Sequence, residues 1–139
     1  KLSYEEMINY ITMDKQELLG KELSNLYAIN KQVSHYFKNS DLSFLDEHRQ
    51  QTVNKYINAN LKNEELVTKM LRSLEVNPGN TVDSIVNEIT ENLHEISLKK
   101  TDNKALNGLG YMMSFNRLLS YHKANVVNID FILNELDLS

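Results

Sequence analysis

The sequence predicts an all-α fold, an antiparallel four-helix bundle with a short amphipathic helix at each terminus. Three observations predict it. Apolar residues recur at helical spacing over most of the 139 residues. Alternation with period two is not sustained anywhere, which argues against a sheet. Only four glycines and one proline punctuate the chain, so long elements with few turns are expected.

Composition bounds the rest. The length fits one domain over residues 1–139, and a domain of that size buries about two-thirds of its unfolded surface. With 41% hydrophobic and 24% charged residues, the chain reads as globular and not as disordered. No apolar run approaches the roughly 18 residues of a membrane span. Cysteine is absent, which excludes disulfides and thiolate chemistry. The net charge of −4 disfavours binding to a phosphate backbone, so no nucleic-acid partner is expected. Lys1–Glu6 is polar and Met7–Ile11 is too short for the apolar segment of a secretory signal, so a cytoplasmic location is expected.

Ser3 and Glu6 form a capping box, with Met7, Ile8 and Ile11 on one short apolar face. Asp14 and Glu17 form a second start signal. From there Leu19, Leu23, Leu26, Val33 and Phe37 share a stripe through about residue 38. Asn39–Ser43 reads as a turn. A second long helix runs from near Ser43 to Leu74 on Val53, Ile57, Val67, Leu71 and Leu74, flanked by Tyr56, Ala59 and Met70. Asn77-Pro78-Gly79-Asn80 is the clearest stop, because proline cannot continue a helix and glycine permits a reversal. The third helix starts near Asn80 or Thr81, on a stripe of Val82, Ile85, Val86, Ile89, Leu93 and Ile96. Lys99–Asn103 is a polar loop, with Thr101 or Asp102 as the next cap. The fourth helix spans about Lys104 to Ala124, with Leu106, Leu109, Met112, Met113, Phe115 and Leu119 inward or nearly so. Gly108 and Gly110 are costly inside it and point to a close helix crossing. Ile129–Leu138 is a shorter amphipathic piece.

The chemistry-bearing residues are few. Glu91-x-x-His94 has the spacing of a di-iron ligand pair, but both side chains lie roughly 140–200° from the apolar stripe and read as a surface pair. His35 and His48 read as solvated. His122 shares a side with Phe115 and Leu118 and reads as a packed, hydrogen-bonded histidine. No nucleophile set and no phosphate loop is present.

Polar residues inside the stripes say more. Asn30 lies between Leu26 and Val33, Asn60 and Glu64 lie between Ile57 and Val67, and Asn116 lies near the inward side of the fourth helix. Unpaired burial would cost each several kcal/mol, so they should meet one another, a cation or water. Two readings follow. One is a hydrogen-bonded layer that fixes helix register. The other is a residual cation site around Glu64. The apolar faces Met7-Ile8-Ile11 and Ile129-Ile132-Leu133-Leu136 are candidate contact surfaces for a homodimer or another protein.

One segment also resembles a known family. Glu22-Leu23-Ser24-Asn25-Leu26-Tyr27-Ala28-Ile29-Asn30-Lys31-Gln32-Val33 is similar to the opening helix of the bacterial stress-induced ferritin-like proteins of the YciE/YciF type, Glu-Leu-x-x-Leu-Tyr-x-Ala-Glu-Lys-Gln-Leu. Met70-Leu71-Arg72-Ser73-Leu74 up to Pro78 resembles the end of that family's second helix. Ala105 to Tyr121 resembles its last helix. The likeness covers roughly residues 14–124. It implies a ferritin-like bundle and a stress-related or accessory role.

The family's presumed metal ligands do not carry over. Asn30 replaces an inward Glu, Tyr56 and Ala59 replace a His-x-x-Glu pair, and Ser114-Phe115-Asn116-Arg117 replaces Glu-His-Tyr-Glu. The resemblance thus implies a non-catalytic member with the di-iron site lost. No cofactor is expected.

Overall fold

The computed structural model describes residues 1, 3–99 and 102–137, the side chains of residues 9–13 and 137 excepted. Its elements are four helices: α1 (Tyr4–Lys38), α2 (Glu47–Ser73), α3 (Ser84–Leu98) and α4 (Lys104–Asp137). No strand occurs among the described residues. Among the described residues no helix is long and apolar enough to cross a membrane.

Local signals set most of the helix ends. Ser3 accepts from the Glu6 backbone N–H at 3.1 Å, and the Glu6 carboxylate returns the bond to the Ser3 N–H at 3.1 Å. Two orphan donors of α1 are satisfied in this way. Asp46 caps α2 through the Arg49 N–H at 2.8 Å, and Asp83 caps α3 through the Val86 N–H at 2.8 Å. Asn103 caps α4, accepting from the Leu106 N–H at 3.1 Å. The starts of α2 and α3 are therefore later than the sequence suggests. The cap of α4 is Asn103 and not Asp102, while Thr101 lies outside the described residues. At the end of α2 the Val76 N–H reaches the Leu71 carbonyl and the Glu75 N–H reaches the Arg72 carbonyl. Glu75 sits at φ 55 to make this left-handed stop, two residues before Asn77-Pro78-Gly79, where Gly79 reverses the chain at φ 63.

The short terminal helices expected from the sequence are continuous with their long neighbours. Asp14 and Glu17 lie inside α1 and start nothing. Asn125–Asn128 does not interrupt α4. It holds no glycine or proline, Asn125 bonds back to the Tyr121 carbonyl at 2.9 Å, and Ile129 is buried just beyond.

α1 is the central element, packed against the other three helices, and α3 packs on α4. Contacts fix the directions. Gly20 lies against Val76 and Asn30 meets Asn60, so α1 and α2 are antiparallel. Lys15 pairs with Glu135 and Tyr36 meets Tyr111, so α1 and α4 are antiparallel as well. Tyr56 meets Phe115 and, seven residues on in both helices, Asn63 meets His122, so α2 and α4 run parallel.

The core takes Leu19, Leu23, Leu26, Ile29, Val33 and Phe37 from α1, with Val53, Tyr56, Val67 and Leu71 from α2. On α4 the inward face is Tyr111, Phe115, Leu118 and Ile129. Leu106, Leu109 and Met113 point outward, contrary to the sequence expectation. Aromatic packing explains the rotation. Phe115 meets Tyr56 and Phe37 edge-on at 5.4 and 6.3 Å between ring centres, and Tyr111 meets Phe44 at 5.2 Å. Rings bury more apolar surface than the leucines they displace. Gly108 lies on the same inward side, against Arg49 and Leu45, whereas Gly110 faces open space. On α3, Val86 and Leu93 are buried with Thr90, while Val82 and Ile85 are exposed. The cap residue Asp83 takes the inward place.

Candidate functional site

Three helices converge on one buried polar layer. α1 contributes Asn30 and, one turn later, Ser34. α2 contributes Tyr56, Asn60 and Asn63, which share a face because they are four and three residues apart. α4 contributes His122. Asn30 and Asn60 are fully or almost fully buried, at 0% and 2% exposure.

The hydrogen bonds can be assigned from a fixed point. The Asn60 Nδ2 group donates to the Asn30 main-chain carbonyl and to Ser34 Oγ, both at 3.0 Å. A carbonyl only accepts, so this side of Asn60 must be the NH2. Asn60 Oδ1 then faces Asn30 Nδ2 at 2.8 Å, which orients Asn30 in turn. The second hydrogen of Asn30 Nδ2 goes to Asn63 Oδ1 at 2.9 Å. Both of its hydrogens are now used, so it has none for His122 Nε2 at 3.3 Å. His122 Nε2–H therefore donates to Asn63 Oδ1 at 3.3 Å, and Nδ1 accepts from the Tyr56 hydroxyl at 2.7 Å. One atom is left over: Asn30 Oδ1 is buried without a partner. Such an orphan acceptor costs about 1–3 kcal/mol.

The electrostatics of the layer are neutral throughout. Burial lowers the His122 pKa from 6.5 to about 4, so the ring is uncharged at neutral pH. Burial also pushes the Tyr56 hydroxyl well above its ordinary range, so it stays protonated. No carboxylate takes part in these bonds. The Glu64 carboxylate pairs with the Lys31 ammonium at 2.8 Å instead, and that bond raises the Lys31 pKa.

A di-iron centre needs several inward carboxylates to balance its charge. Amides, a phenol and one imidazole do not fit that need, because the interior would hold an uncompensated cation. Among the described residues no group of three or more His, Asp or Glu could hold a metal ion.

The residues singled out from sequence are thus separated. Asn30 and Asn60 bond to each other, whereas the half-buried Glu64 carboxylate pairs with the exposed Lys31 and Asn116 is exposed. Asn116 turns out because the α4 stripe centres on the aromatics. Met7 is exposed at 48%, and the Ile11 side chain lies outside the described ones. Ile132 and Leu136 are half-buried against the core. Glu91 and His94 are exposed along the groove between α1 and α3.

Sequence reasoning missed Asn63 and the bond between Tyr56 and His122. The spacing of Tyr56, Asn60 and Asn63 on one helical face was the available signal. It also missed Asp83, which is 4% exposed and hydrogen-bonds to five residues, Asn87 in the first turn of α3 among them. Its Oδ1 caps Val86, and its Oδ2 accepts from Asn25 Nδ2 at 2.9 Å and from the Tyr121 hydroxyl at 2.7 Å. Its main-chain N–H and carbonyl both bond to the Gln32 side chain at 2.8 and 2.9 Å. This knot ties the start of α3 to α1 and α4. Its signal was an Asp three residues ahead of Val86, just after a Pro-Gly turn.

Beside the layer, a groove of about 500 Å³ runs between α2 and α4. Tyr56, Asn60, Asn63 and His122 line it with Ala59, Leu119 and Val126, and with Asn116, Ser120 and Lys123. No family model, no curated protein and no solved structure matches the chain.

Proposed function

We propose that this chain is a non-catalytic four-helix bundle of the ferritin-like type that acts through protein contacts. In this reading the interior positions that correspond to the presumed metal ligands of the family it resembles have become a structural layer. One observation carries the reading: the layer joining α1, α2 and α4 is neutral and hydrogen-bonded, with Asn30 at its centre and no carboxylate. The stress-related, accessory setting rests on the resemblance of residues 14–124. Contact with a second copy or another protein is supported by Leu106, Leu109 and Met113, which expose 47–63% of their surface on the outer face of α4. A residual cation site around Glu64 has less support, since Lys31 already neutralises that carboxylate.

The test is anaerobic Fe(II) titration of protein purified without a tag or chelator, with elemental analysis beforehand. Metal-free protein that takes up no Fe(II) is the expected result. Stoichiometric iron, lost in a Glu64→Gln variant, would overturn the proposal in favour of the cation site.

A further inference from the structure

We propose that the part of the α1–α4 seam left uncovered by α3 is a helix-binding slot, and that its occupant is a basic amphipathic helix of another protein. This rests on the reading of protein contacts above and gives them a place and a partner class. α3 has 15 residues, whereas α1 and α4 have 35 and 34. At 1.5 Å per residue that is about 22 Å against about 50 Å of helix axis. The start of α3 sits level with Asn25 of α1 and Tyr121 of α4, which both bond to Asp83. From there to Tyr4 on α1 and to Asp137 on α4, no helix among the described residues continues the line of α3. On the other side α2 reaches as far as Gly20, which meets Val76.

The uncovered face continues the stripe that α3 covers. On α1 that stripe includes Asn25 and Gln32, both bonded to Asp83. Leu18 and Met7 precede Asn25 by 7 and 18 residues, about two and five turns, so they share its side of the helix. Each exposes 48% of its surface. On α4, Asn128 and Ile132 follow Tyr121 by 7 and 11 residues, about two and three turns, and Ile132 is half-buried. The stripe is thus polar and bonded under α3, and apolar and open beyond it. A slot between two helices, with apolar side chains recurring at helical spacing, fits the apolar face of a third helix.

Charge selects the partner. Residues 4–20 and 126–137 hold seven of the 19 acidic residues and one of the 15 Lys and Arg, so this end carries −6 in a chain of net −4. Its single cation, Lys15, is already paired with Glu135 across the seam at 3.7 Å. Asp14 and Glu22 stand one turn either side of Leu18. A second copy would set −6 against −6, which opposes self-association through this end. A helix with Lys or Arg along the borders of its apolar face finds the complementary charge.

The test titrates the ¹⁵N-labelled full chain with two synthetic helical peptides of about 16 residues, the length of α4 beyond Tyr121. One is built of Leu and Lys, the other of Leu and Glu with the same apolar face. The Leu/Lys peptide should give saturable backbone amide shifts at Leu18, Asn128 and Ile132, and bind more weakly as salt rises. The Leu/Glu peptide should bind about tenfold more weakly or less, since like charges then face each other. Replacing Leu18 and Met7 together by Gln, both on exposed positions, should weaken the Leu/Lys peptide by about tenfold. If that variant fails to fold, the two-peptide comparison and the position of the shifts still decide. Equal binding of the two peptides would overturn the proposal, as would no saturable shift at millimolar peptide. Shifts of the same amides on concentrating the protein alone would overturn it in favour of a second copy. Shifts centred on Leu106, Leu109 and Met113 would remove the slot and leave the reading of protein contacts standing, whereas iron uptake in the Fe(II) titration would remove the non-catalytic reading and leave the slot untouched.

Discussion

Acidification should weaken this fold through one histidine. The His122 ring is buried among Asn30, Asn63 and Tyr56, all neutral, and its pKa falls to about 4 from 6.5. Between those values the unfolded chain holds a proton on this residue that the folded chain does not. Stability therefore rises with pH through this window. The full contribution is present above about pH 6.5. It declines by about 1.4 kcal/mol per pH unit down to about pH 4, a total of about 3 kcal/mol. Below pH 4 this residue removes nothing further.

The assay is urea denaturation at half-unit steps from pH 7.5 to 3.5, on the native chain and on His122→Gln. Other groups titrate in both proteins, so the difference between the two curves isolates His122. The native chain should lose about 3 kcal/mol more than the variant across the window. Parallel curves would refute the reasoning, since they would mean that the ring is charged or solvated in the fold.

Three further outcomes follow from the same contacts. Asn60→Ala removes three hydrogen bonds, two of them fully buried, and should cost about 3 kcal/mol, seen as a melting point lower by about 10 °C. Asp83→Ala strips the α3 cap and leaves Asn25 and Tyr121 without their acceptor, at a cost of about 3 kcal/mol. Hydrogen exchange should then show α3 amides losing protection ahead of α1. Glu75→Gly relieves a left-handed residue at φ 55 and should raise stability by about 0.5–1 kcal/mol in a urea titration.

The helical character and most of the α1 and α2 cores could be read in the sequence, because their apolar periodicity is strong and their capping residues are local. The inward turn of Asn30 and Asn60 was legible for the same reason: each interrupts a leucine and valine stripe. α4 was misread because apolar residues occur all around it. Leu106, Leu109 and Met113 compete with Tyr111, Phe115 and Leu118, and only contact with Phe37, Phe44 and Tyr56 on other segments decides between them. The terminal helices were split from their neighbours because Asp14 and Asn125–Asn128 look like boundaries locally. Burial of Leu19 and Ile129 carries the helices through. Glu64 looked like a member of the layer by spacing alone, and the Lys31 side chain that claims it is 33 residues away in sequence. The bonds from His122 to Tyr56 and Asn63 are tertiary facts that no local pattern announces.

The neutrality of the interior layer is tested most directly by the ¹⁵N resonances of the His122 ring. They would be recorded at pH 7 before and after one equivalent of Zn(II). The account predicts a neutral ring protonated at Nε2, with Nδ1 accepting from Tyr56, and no change on adding zinc. An imidazolium signal, or a shift of Nε2 or Nδ1 to metal-bound values, would contradict it.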